Sequence, residues 1–137
     1  MSEAETIALI ERYIAAFNAS DSEGMLACLS DDVAHDINQG DREIGKDAFR
    51  WFLGMMDRHY KENLSDVVVM AGQGGSRGAA EFTVRGTYLS TAEGLPEANG
   101  QTYSLAAGIF FEVDGGLISR VTTYYNLTDW TAQVSKG

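Results

Sequence analysis

The fold class this sequence predicts is α+β, a curved antiparallel sheet with helices packed on one face, and three observations predict it. Apolar residues recur at helical spacing as far as Tyr60 and at strand alternation from Leu64 onward. Glycine-rich turns separate the later, alternating segments. Helices come as one block and strands as another, an order that layers the helices against the sheet and encloses a cavity between them. The 137 residues, 45% hydrophobic and 22% charged, fit one domain that buries a core without metal or disulfide staples.

Each element has its own signal. Ser2 and Glu5 form a capping box ahead of Ile7, Ile10, Ile14 and Phe17, which share one helix face, so a first helix is expected to about Asn18. Asp21 is a natural N-cap for a short second helix carrying Met25, Leu26 and Leu29, ended by Ser30, Asp31 and Asp32. The stretch DDVAHDINQG, residues 31–40, follows as a short strand. Phe49, Phe52, Leu53, Met56 and Tyr60 then write the stripe of a third helix. Four long strands follow, LSDVVVMA, RGAAEFTVRGTYLS, QTYSLAAGIFFEV and LISRVTTYYNL, separated by GQGGS, TAEGLPEANG and DGG. GQGGS and DGG are turns and not phosphate cradles, because neither leads from a strand into a helix. STAEGLPEANG is long for a hairpin connection and holds the only proline, Pro96, which suits a lid or a dimer arm.

Composition excludes several functions. Twenty acidic against ten basic residues give a net charge of −10 with no Lys/Arg cluster, which disfavours nucleic acid and anionic membrane surfaces as partners. No long apolar run and no basic leader is present, so a cytoplasmic protein without a membrane span is expected. Cys28 is alone, and its apolar neighbours mark it as a small buried hydrophobe rather than a catalytic thiol. No His/Cys/Asp/Glu set has metal-ligand spacing, so neither a metal nor a cofactor is expected. The tripeptides at Asn18 and Asn126 match a glycosylation pattern that is irrelevant without secretion.

The combination RYIAAFNASDSEGMLACLSDDV, IGKDAFRWFL and GIFFEVDGGLISRVTTYYNL resembles the NTF2-like superfamily, and within it the SnoaL-like, ketosteroid-isomerase-related proteins, over nearly the whole chain. The resemblance implies an NTF2-like (cystatin-like) cone, three N-terminal helices under a curved sheet, usually dimerised through the outer sheet face. It leaves the activity open, since this superfold hosts many chemistries. Tyr13 sits where ketosteroid isomerases carry an oxyanion-donating tyrosine, but their base position falls on Ile37, one past Asp36, and their late-strand acid on Gly108. Of the Asp-Arg-Asp set of limonene-epoxide hydrolases, the last-strand aspartate corresponds to Thr123, and Arg85 alternates with Phe82 and Val84 so as to face outward. SnoaL-type polyketide cyclases transfer protons with an acid and a histidine, and His35-Asp36 is the one pair here placed to act similarly.

Strand alternation lets only one of that pair face the cavity. Val33 and Ile37 are the more apolar set, so His35 is expected inward and Asp36 on the opposite side or at a bulge. An imidazole, with a pKa ordinarily near about 6.5, suits proton abstraction beside a carbonyl. Tyr13 would then stabilise the enolate oxygen. The alternative for His35 is a satisfied core histidine. Asn38, Phe52, Phe82, Val84, Tyr88, Phe110, Thr123 and Tyr125 are the expected substrate-binding lining, a set suited equally to a flat hydrophobic ligand or to an ordinary core. Three functions remain open. They are a cofactor-independent isomerase, cyclase or dehydratase acting on a hydrophobic carbonyl compound, a non-catalytic dimeric ligand-binding module, and a protein-binding scaffold.

Overall fold

The computed structural model describes residues 1–136. Helix α1, Glu3–Asn18, starts at the capping box, where the Glu5 amide donates to Ser2 Oγ at 3.1 Å and the Ser2 amide to Glu5 Oε1 at 2.9 Å. Its buried face is Leu9, Ile10, Tyr13 and Ile14, and the Thr6 hydroxyl donates to the Gly75 carbonyl at 2.6 Å. Helix α2, Ser22–Ala27, is capped by Asp21, which accepts from the Gly24 amide. Leu29 is not part of it but opens strand β1, Leu29–Asp36, which is followed by β2, Arg42–Ile44. Helix α3, Lys46–His59, buries Phe49 and Leu53. Tyr60, expected in that helix, instead begins strand β3, Tyr60–Gly72, where it pairs with Tyr88.

A short turn at Gln73–Gly75 leads to β4, Arg77–Tyr88, then β5, Thr102–Asp114, β6, Leu117–Tyr125, and a fourth helix α4, Leu127–Ser135. That helix was not expected. Its signal is Asn126, whose side chain accepts from the Asp129 amide at 3.0 Å, and the buried pair Trp130 and Val134 one turn apart.

All six strands form one sheet in the order β2-β1-β6-β5-β4-β3. It is not wholly antiparallel, because β1 runs parallel to β6. More than half of the chain separates those two strands, so no hairpin dictates their relative direction. The inner face carries Leu64, Phe82, Val84, Leu105, Ile109, Phe111 and Val121 against the helices. Glu81, Arg85, Phe110 and Tyr124 stand on the outer face. Among the described residues no helix is long and apolar enough to cross a membrane.

The 89–101 connection is folded down rather than projecting. Tyr88, fully buried, donates from its hydroxyl to the Pro96 carbonyl at 2.7 Å and accepts from the Ala92 amide at 2.9 Å. Gln101 Nε2 ties the returning chain to the Val134 carbonyl of α4 at 3.0 Å.

Candidate functional site

The strand that carries His35 and Asp36 separates them as alternation demands. His35 points inward, 4% exposed, with its ring 4.4 Å from that of Phe49 and edge-on to Phe52 at 4.7 Å. Among the described residues no hydrogen bond reaches its Nδ1. Burial lowers its pKa to about 4, against a small opposing pull from Asp36, so the ring is neutral at neutral pH.

Asp36 lies on the outer face. The Arg42 guanidinium donates to both its oxygens, at 2.6 and 3.0 Å, and the Thr122 hydroxyl donates to Oδ2 at 2.6 Å. Hydrogen bonds from Arg42 first, then from Thr122, lower its pKa to about 2. Arg120 donates to Thr122 and pairs with Glu112, which also pairs with Arg77, so the carboxylate belongs to an ionic row across the outer face. Tyr13 is also removed from any opening: 4% exposed, it packs edge-on against Phe111, and burial raises the pKa of its hydroxyl.

The cavity lies further along the inner face. It measures about 330 Å³ and is walled by Phe17, Met25, Phe52, Met56, Tyr60 and Glu62. A wider, more polar groove of about 680 Å³, reached by Asn18, Arg85, Thr102 and Gln133, shares Ser20, Lys61 and Glu62 with it. Glu62 is the carboxylate common to both. It faces inward on β3, two residues before buried Leu64, and its Oε2 accepts from the Tyr103 hydroxyl at 2.6 Å. Tyr103 belongs to β5, so its ring must cross β4 to reach β3. It does so over Gly86, where any Cβ would overlap the tip of the ring. Trp130 of α4 holds the ring from its edge, at 5.8 Å, and also packs on Tyr60 and Tyr88. Burial raises the Glu62 pKa, with the Tyr103 hydrogen bond opposing. Among the described residues no salt bridge reaches Glu62.

Of the residues expected to line a pocket, Phe52 alone walls this cavity. Phe82 and Val84 are inner-face core residues, and Tyr88 pins the loop. Thr123 and Tyr125 face inward on β6, and Asn38 Oδ1 accepts from the Tyr125 amide at 3.3 Å. Phe110 is a correction. It is 50% exposed on the outer face, edge-on to Tyr124 at 5.9 Å, because Ile109 and Phe111 occupy the inward positions of β5. Glu62, Tyr103 and Gly86 escaped the sequence reading, which began the strand at Leu64. Running the alternation two residues back from Leu64 would have placed a carboxylate on the core face, a position where charge is unusual.

The chain has relatives of known structure. The family described as the SnoaL-like domain matches residues 10–121. A candidate polyketide cyclase from Pseudomonas putida, known as a crystal structure, is 56% identical over 98% of both chains, with a TM-score of 0.93. Others from Xanthomonas campestris and a Silicibacter species are 53% and 54% identical, each with a TM-score of 0.94. The first covers 96% of this chain and the second 98%, and each alignment spans 98% of the relative. No curated protein matches the chain. With four helices under one six-stranded sheet, and a family match spanning most of its length, this chain belongs to the SnoaL-like family of the NTF2-like superfamily.

Proposed function

We propose that this chain is a cofactor-independent enzyme that moves a proton on a hydrophobic carbonyl compound held in the inner cavity, as an isomerase, cyclase or dehydratase does. The observation that carries the reading is His35, a buried neutral imidazole whose Nδ1 has no partner among the described residues, set directly behind the Phe52 wall of the inner cavity. A buried nitrogen without a hydrogen bond costs free energy that a ligand would relieve. The relatives described as candidate polyketide cyclases, more than half identical over nearly the full length, support the same class. In this reading the ligand displaces the Phe52 ring that screens His35, Nδ1 takes the proton from the carbon beside the carbonyl, the C–H electrons pass to the carbonyl oxygen, and the proton then returns to carbon or oxygen. Tyr13, buried against Phe111 and absent from the cavity wall, takes no part in this step. The active unit is a homodimer joined through the outer sheet face, a proposal supported by exposed Phe110, Tyr124, Val68 and Met70.

A non-catalytic ligand-binding module is the second reading, favoured by the capture of Asp36 in ionic contacts and by the burial of Tyr13. One experiment decides between them. The α-hydrogens of 2-tetralone, an enolisable hydrophobic ketone, are exchanged in D₂O and followed by NMR. Accelerated exchange that falls roughly 10²-fold in His35→Gln supports the enzyme, whereas Tyr13→Phe, buried away from the cavity, is expected to leave the rate nearly unchanged. Wild-type exchange no faster than buffer leaves the binding module.

A further inference from the structure

We infer that Glu62 and Tyr103 form a hydroxyl-recognising pole of the cavity, which orients a flat hydrophobic ligand by a phenol or enol oxygen. The inference rests on the reading of this cavity as a ligand pocket and adds what chemistry the ligand presents there.

Four features point the same way. First, Tyr103 occupies only one carboxyl oxygen of Glu62, Oε2, and among the described residues no hydrogen bond reaches the other. A carboxyl fixed at one oxygen and open at the second is aimed rather than mobile. Second, the fold makes room for this pair in particular. Gly86 supplies the gap through which the Tyr103 ring crosses β4, and Trp130 closes over its edge. Third, the wall offers Phe17, Phe52 and Tyr60 to lie against a flat ring, with Ser20, Ser22, Asp57 and Lys61 as its further polar residues. Fourth, among the described residues no cation pairs with Glu62, so the ion pairing that ordinarily accompanies a partly buried carboxylate is absent. Burial also favours the protonated carboxyl, which both accepts and donates, and so matches a hydroxyl oxygen in either sense. Core packing explains none of this, since an apolar pair would fill the same space without desolvating a carboxyl.

The test uses 2-naphthol and naphthalene, which share a flat body and differ by one hydroxyl. Trp130 reports binding because it touches Tyr103 and Tyr60, and the only other tryptophan, exposed Trp51, is first replaced by Phe. The expected result is that 2-naphthol binds at least about tenfold more tightly than naphthalene, as one hydrogen bond to a buried carboxyl implies. The preference is expected to vanish in Glu62→Leu, to survive largely in Glu62→Gln, which keeps an acceptor, and to weaken in Tyr103→Phe. Equal affinities of the wild-type fold for the two probes overturn the inference and leave the pocket reading standing. Failure of both probes to bind removes the pocket reading and the inference with it. Because the wild-type ratio is decisive alone, a Glu62→Leu variant that does not fold leaves the test intact. Hydroxyl preference dependent on Glu62, beside absent ketone exchange, would support this pole in a binding module and not in an enzyme.

Discussion

At the residue scale, His35 links stability to pH in a defined direction. Its folded pKa, about 4, lies below the ordinary value of about 6.5, so the neutral ring's contribution is complete above about 6.5 and lost as pH falls toward 4. The difference corresponds to up to about 3 kcal/mol for this nearly sealed side chain. His35→Phe, which keeps the contacts with Phe49 and Phe52 and cannot be charged, is expected to narrow the loss of unfolding free energy between pH 7 and pH 4 by a sizeable part of that figure. Denaturant titrations of both proteins across the window measure it. A gap between the two proteins that does not change with pH would remove His35 as the cause. Asp36 behaves oppositely in environment though adjacent in sequence. Its carboxylate is held by Arg42 and Thr122, so it stays ionised throughout that window.

At the element scale, the crossing of Tyr103 over β4 depends on a single missing Cβ. Gly86→Ala is expected to push the ring off Glu62 and against Trp130, at a cost of about 1 to 3 kcal/mol in unfolding free energy. In a Tyr103→Ala background the same change is expected to cost little, and the double-mutant cycle reads the difference. Equal costs in both backgrounds would mean that the ring is not what the glycine accommodates. How much of each element was legible follows from the strength of its local signal. The capping box of α1, the Asp21 cap of α2 and the apolar stripe of α3 are properties of neighbouring residues, and they placed those helices, though the expected ends of α2 and α3 ran on into Leu29 and Tyr60, which begin strands. The direction of β1 beside β6 is a long-range property that no local pattern records. The inward turn of His35 was readable because Val33 and Ile37 flank it in alternation. Phe110 was misplaced because two adjacent phenylalanines look equally fit for a core, and only the pairing of β5 decides which enters. Glu62 was missed because Tyr60 could extend the stripe of α3, which hid the true start of β3.

At the scale of the whole molecule, the two sheet faces divide the work. The inner face holds the core and the cavity, while the outer face combines the Arg42-Asp36-Arg120-Glu112-Arg77 row with exposed Phe110 and Tyr124. Apolar residues rimmed by fixed charges are what an association surface presents. The proposed homodimer is therefore expected to dissociate in the Phe110→Glu, Tyr124→Glu double variant with little change in the inner cavity. Sedimentation of both proteins at equal concentration tests this, and a wild-type protein that sediments as a monomer would refute it.

The parallel pairing of β1 with β6 also governs the order in which the molecule can be completed. Residues 29–36 leave the ribosome well before their partner, which spans 117–125, so the sheet stays open along β1 until β6 has emerged. Folding during synthesis cannot close the core in stages from the N-terminus. A chain arrested after β5 would carry β1 with one edge unpaired, exposed to the hazards of any unsatisfied strand, until β6 arrives and joins the β2-β1 pair to the β5-β4-β3 meander in one sheet.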